Sequence, residues 1–362
     1  MHRHSSVRSS AGFGTRSPFE DGPSGGTPLA PRDSTTLTVA PEPMHEPRPE
    51  PTHLQVEVTN RCNLSCRICR HSAVTEMGDF PRASLVRLLR SFERPPLEVC
   101  LSGLGEPLLH PELEGMIADC RDHRIDRTIV YTNGTLLRPA RADRLAAAGL
   151  HELRLSMDGS DAESLQRVRP GLRLEPLIGY MQHVTRAGRI DTALQFTATS
   201  DTIASLPGLP ALAVRMGVRR LIVVDVVPFA SLEARAVAPL ATPDRRIPLM
   251  TMRTRDAVMD EFRARSLDAG LEVLELLDSA RATCDAPFNS LYVTWRGEVT
   301  PCCRIHDAHH LGNVVQHGVA RVWHGDEIRA WRARMQSPRP PLECRQLCQL
   351  GVAAQASDRV AS

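Results

Sequence analysis

From residue 54 to residue 227 the apolar residues switch repeatedly between strand spacing and helix spacing, and this repetition restricts the fold more than any other feature. Leu54, Val56 and Val58 interleave with Gln55 and Glu57, the period-two signature of a strand with one apolar face. Further strands are predicted over 97–101, 127–131, 152–156, 194–199 and 221–227, and helices over 83–92, 111–121, 139–148, 176–187 and 209–216. Pro111 and Pro139 stand at helix starts, and Gly149, Gly188 and Gly217 follow helix ends. Six strand–helix units in about 175 residues imply a parallel sheet covered by outer helices. Eight such units close a barrel, so six leave it open. The predicted fold is α/β: a partial (β/α)6 TIM-like barrel over 51–230. A doubly wound flat sheet is the alternative.

The flanking regions read differently. Residues 1–50 start rich in Arg and Ser, then turn Pro-rich (Pro41, Pro43, Pro47, Pro49, Pro51) with interspersed Glu. Such a segment buries too little apolar surface to offset the entropy of ordering, and it is expected to be a disordered leader. Residues 231–282 are expected to form a linker carrying a helix over 252–269 and a strand over 271–276. Residues 283–351 read as a small cysteine-rich α+β domain whose hairpin turns at Arg296-Gly297, and 352–362 as a flexible tail.

Composition removes several function classes. With 44 Lys+Arg against 42 Asp+Glu the net charge is +2, which gives no general attraction to nucleic acid or an anionic membrane. Aromatics are only 4%, too few for a row of base-stacking platforms. No run reaches the roughly 18 apolar residues of a membrane span, and no apolar segment near the start reads as a secretory signal. A cytoplasmic location is expected.

Ten cysteines remain to be explained, and most fall in two tight groups. Without an export signal, metal ligation is favoured over disulfides. The first group, Cys62-x3-Cys66-x2-Cys69, directly follows the first strand. Three thiolates so close in sequence converge only if their loop wraps one centre, and soft thiolates select zinc, copper(I) or an iron–sulfur cluster. Zinc would want a fourth ligand, for which His71 is available. The second group comprises Cys284, Cys302 or its neighbour Cys303, Cys344 and Cys348. Four thiolates from separated segments suffice for a [4Fe–4S] cluster or a zinc ion. Cys100 in a strand and Cys120 in a helix read as buried apolar residues.

The Cys62/Cys66/Cys69 spacing after the first strand of a parallel barrel resembles the radical S-adenosylmethionine (SAM) superfamily, with Ile68 where that family commonly has an aromatic. The resemblance covers about 52–230. It implies a [4Fe–4S] cluster held by three cysteines, with the fourth iron open to SAM. SAM is then cleaved to a 5′-deoxyadenosyl radical that abstracts hydrogen from a substrate. It also implies SAM contacts at the strand ends: Gly103, Gly105, Glu106 and Pro107 in the family's glycine-glutamate element, then Asn133, Ser156, Asp158 and Arg169. The segment 283–350, with its Cys284…Gly297…Cys302 spacing, Leu311-Gly-Asn313 turn and Val322-Trp-His-Gly325 run, resembles the SPASM domain in its short twitch form, which implies an auxiliary [4Fe–4S] cluster.

The expected function is therefore radical SAM chemistry of oxidoreductase type, with electrons from an external donor such as flavodoxin or ferredoxin. No segment reads as a grip for a leader peptide, so the expected substrate is a small polar molecule (a sugar, cyclitol or nucleoside) in natural-product biosynthesis. A maturase of ribosomally made peptides is the alternative, and a non-catalytic iron–sulfur or zinc scaffold a third reading.

Overall fold

The computed structural model describes residues 46–199, 201–225, 252–276, 284–305 and 309–347. Strands β1 (His53–Val56), β2 (Glu98–Cys100), β3 (Arg127–Thr132), β4 (Glu152–Ser156), β5 (Asp191–Ala198), β6 (Arg220–Asp225) and β7 (Glu272–Leu276) pair in parallel. Helices α1 (Arg82–Arg90), α2 (Leu113–Asp122), α3 (Pro139–Ala148), α4 (Ala162–Val168), α5 (Leu174–Ala187), α6 (Leu209–Met216) and α7 (Met252–Asp268) intervene. The C-terminal region adds α8 (Ala286–Asn289), strands β8 (Ser290–Val293) and β9 (Val299–Thr300), and helices α9 (Val314–His317), α10 (Val319–Trp323), α11 (Asp326–Met335) and α12 (Leu342–Leu347).

The sheet runs β7-β6-β5-β4-β3-β2-β1-β8-β9 and stays open, as a partial barrel should. One face of its strands is apolar. Leu54, Val56, Val99, Val130, Leu153, Leu155, Leu194, Phe196, Leu221 and Val223 are buried there. They share one core with helix residues such as Leu85, Met116, Leu145, Met181 and Leu212. Burial of each large side chain contributes about 1.5–3 kcal/mol. Helix ends follow local chemistry. Pro139 sits in the first turn of α3, and Gly149 ends it at φ +98°, a left-handed conformation that costs glycine nothing.

Four features differ from the sequence expectation. Helix α4 was not anticipated. It starts at Asp161, whose carboxylate accepts the Ser164 N–H at 2.8 Å in a capping box. The strand–helix alternation continues through α7 and β7 instead of stopping at residue 230, because β7 pairs with β6 over Arg220↔Glu272 to Val224↔Leu276.

The C-terminal hairpin is also joined to the barrel. β8 lies parallel on β1, with Leu54 opposite Leu291, and turns back antiparallel into β9. Residues 46–50, expected in the leader, are tied to this region. The Arg48 N–H donates to Phe288 O at 3.0 Å, and the buried Trp323 indole donates to Arg48 O at 2.8 Å. Arg332 closes the junction by donating to Pro287 O and Trp323 O at 2.7 and 2.8 Å.

Candidate active site

The loop after β1 carries the first cysteine group. The Cys69 N–H donates to Cys66 O at 3.1 Å, which bends the chain back between these two residues. Cys69 then caps a short 3-10 turn, its sulfur accepting the His71 N–H at 3.4 Å. Burial pushes all three thiols up, Cys66 to about 11, and the charge of Cys69 adds to the rise at both Cys62 and Cys66. Arg169 opposes that rise at all three.

Arg169 reaches the cysteines from the end of α4. Its guanidinium grips Asp158, with Nε and Nη2 at 2.7 and 2.5 Å from Oδ2, while Nη1 donates to the Cys66 sulfur at 3.8 Å. Asp158 is fully buried, and its Oδ1 accepts the Thr197 N–H at 2.8 Å. The sequence suggested that Arg169 and Asp158 face SAM. The structure sets this pair against the cysteine loop.

Glu106 organises the loops after β2 and β3. Its buried carboxylate accepts the Leu108 N–H (3.1 Å), the Thr132 hydroxyl (2.7 Å) and the Asn133 N–H (2.7 Å). Burial raises its pKa, and these donors pull it back. A carboxylate has about four acceptor directions, so roughly one remains for a ligand. Asn133 donates from Nδ2 to Asn63 Oδ1 at 3.0 Å, which anchors the residue beside Cys62. Gly105 is required because a Cβ there would lie 2.4 and 2.5 Å from the Arg61 and Thr59 carbonyl oxygens. Gly103 likewise packs on Glu57, Pro107 opens a 3-10 turn, and Ser156 ends β4 half-buried, opposite Gln195. Sequence reasoning missed Asn63 and Glu57. The Asn directly after Cys62 offered a signal for the first, and a carboxylate interleaved in an apolar strand for the second.

Among the described residues, no group of three or more His, Cys, Asp and Glu side chains is disposed to hold one metal ion. His71 is occupied otherwise, its Nε2 lying 2.9 Å from Asn60 O. One backbone N–H and one guanidinium donate to these sulfurs, surroundings that suit an anionic cluster.

In the second group, Cys284 and Cys302 are half-buried against the core, Cys303 is exposed, and Cys344 is buried with its sulfur 3.4 Å from the Met335 sulfur. Cys348 lies outside the described residues. Cys302 and Cys303 also line a cavity of about 160 Å³ with Cys100, Tyr131 and Tyr292. Cys100 and Cys120 are buried, their thiols pushed up to about 12 by burial.

The sequence model of the radical SAM superfamily matches residues 56–211, and that of the SPASM iron–sulfur cluster-binding domain matches 284–349. The chain belongs to the radical SAM superfamily. This radical SAM enzyme is 24% identical over 304 residues to the tungsten-containing aldehyde ferredoxin oxidoreductase cofactor-modifying protein of Pyrococcus furiosus, spanning 77% of this chain and 83% of that protein. It is 27% identical over 168 residues to the mycofactocin maturase of Mycobacterium ulcerans, 46% of this chain and less than half, 45%, of that one. Its fold matches Streptococcus suis SuiB bound to the precursor peptide SuiA with TM-score 0.63 at 16% identity, over 79% of this chain and 67% of that one. Membership implies a [4Fe–4S] cluster, SAM and an auxiliary iron–sulfur centre. No described helix is long and apolar enough to cross a membrane.

Proposed function

We propose that this radical SAM enzyme modifies a ribosomally made peptide, with Cys62, Cys66 and Cys69 holding the SAM-binding cluster. The observation that carries the site assignment is Arg169, held by buried Asp158, donating to the Cys66 sulfur within the three-cysteine loop. When bound, the cluster supplies the electron that cleaves SAM, whose fragment then removes a hydrogen atom from the substrate. Arg169 counters the negative charge of the sulfurs. Glu106 and Asn133 fix the loops after β2 and β3 against the cysteine loop, and the remaining acceptor direction of Glu106 suits the SAM amine. The assigned SAM contacts are Gly103, Gly105, Glu106, Pro107, Asn133, Ser156, Asp158 and Arg169. For the auxiliary cluster we assign Cys284, Cys302, Cys344 and Cys348, preferring Cys302 to Cys303 because it packs beside the core as Cys284 does. The electron donor is taken to be an external flavodoxin or ferredoxin.

The peptide reading replaces the small polar substrate expected from the sequence. Its support is the maturase among the relatives and the fold shared with a protein that binds a precursor peptide. None of the three proteins compared is named for a sugar or cyclitol. The cofactor-modifying relative, whose alignment is the longer of the two sequence matches, favours a small-molecule substrate as the second reading.

The test is a reconstituted protein given dithionite, SAM and a deuterated peptide encoded beside its gene. Deuterium should enter 5′-deoxyadenosine, and Cys66→Ala should form none of that product. Deuterium transfer only from small molecules contradicts the peptide assignment. No 5′-deoxyadenosine from the wild type under any substrate contradicts the site assignment.

A further inference from the structure

Glu57 ends up where two distant loops meet. It is fully buried at the C-terminal end of β1. Its Oε1 accepts the Leu104 N–H at 2.9 Å, inside the glycine-glutamate loop, and its Oε2 accepts the Trp295 N–H at 3.3 Å, at the turn of the C-terminal hairpin. The contact is tight on the first side, since a Cβ at Gly103 would stand 2.4 Å from the Glu57 Cβ. The same turn also presses on the cysteine loop. The Trp295 ring covers Gly78, where a Cβ would lie 2.2 Å from it, and Arg296 is ion-paired with Glu76. Asn60, two residues before Cys62, holds that stretch by donating to Glu76 O at 2.7 Å and accepting the Gly78 N–H at 2.8 Å.

We infer that Glu57 is a positioning residue that couples the auxiliary-cluster region to the SAM loop. The inference rests on the SAM-loop assignment above. The chemistry is selective. Two converging N–H donors need a group that accepts on both sides, and an ionised carboxylate is acceptor-only. A glutamine of the same shape must turn its NH2 towards one donor, leaving that N–H unpaired and buried. An aspartate is one methylene shorter and cannot serve both donors from the same backbone position.

The experiment compares full-length wild type with Glu57→Gln, and with Glu57→Asp in case the first variant does not fold. Amide hydrogen exchange reads the bridge directly and needs no SAM. At Leu104 or Trp295, exchange is expected to quicken about tenfold, with the amides of β3 to β5 unchanged. Unaltered exchange at both positions overturns the inference. Coupling is read as SAM affinity with and without Cys284→Ser, which removes an assigned auxiliary ligand. In wild type that substitution should weaken SAM binding about tenfold, and in the Glu57→Gln background it should add little. Equal weakening in both backgrounds overturns the coupling. If the wild-type holoenzyme fails to bind SAM at all, the SAM-loop assignment and the coupling fall together, and the exchange result then decides the bridge alone.

Discussion

Arg169 is the most constrained charge near the cysteine loop, because it serves a fully buried carboxylate and a sulfur at once. Lysine keeps the charge but not the planar fork. Arg169→Lys should therefore keep Asp158 paired while losing the donor to Cys66. A lost hydrogen bond of about 1 kcal/mol corresponds to roughly 40 mV for one electron. The reduction midpoint of the reconstituted cluster, followed by EPR titration, is expected to fall by that order. An unchanged midpoint contradicts the contact. At this scale the cysteines, Glu106, Asn133, Asp158 and Arg169 stand out in the sequence as candidates, since each belongs to a short motif that follows a strand. Glu57 does not. Its partner Trp295 lies 238 positions away, and local alternation says which face a residue is on without saying what covers that face.

The strands meet at a charged knot around Glu152 on β4. This carboxylate is 1% exposed and is gripped by Arg127 of β3 and by Arg154, whose Nε lies 2.6 Å away, with Arg220 of β6 at 3.7 Å. Burial works against its ionisation, but the guanidiniums outweigh it and hold the carboxyl below the usual range. The folded pKa is thus depressed. The knot contributes fully above the ordinary glutamate value, near about 4.3, and its contribution is lost as the pH falls through the lower folded value. Glu152→Gln should destabilise by about 3 kcal/mol at neutral pH, because the half-buried Arg154 is left without its counter-charge. It should also flatten the acid limb of stability below about pH 4.3, measured by urea unfolding across pH. A limb as steep as that of wild type contradicts the assignment. The strands and most helices were legible as elements because parallel units repeat their apolar periods. α4 escaped because its cap, Asp161-x-x-Ser164, lies in a polar stretch. The pairing of β8 with β1 escaped because no local pattern encodes a partner more than two hundred residues away.

At the scale of the molecule, one open sheet carries the first cysteine group in the loop after β1, and the hairpin that begins with β8 beside it is flanked in sequence by Cys284 and Cys302 of the second. Two cubes per chain predict about eight irons after reconstitution, whereas about four would mean that the second group does not hold a cluster. The central claim concerns the first group: three thiols hold a cube and leave one iron for SAM. Its most direct test is electron–nuclear double resonance on the reduced Cys284→Ser protein, in which the assigned auxiliary ligand set is incomplete, mixed with SAM labelled at the amino nitrogen and carboxylate oxygens. We predict hyperfine coupling from both labels to the reduced cluster. A reduced cluster that shows no coupling to either label contradicts the account.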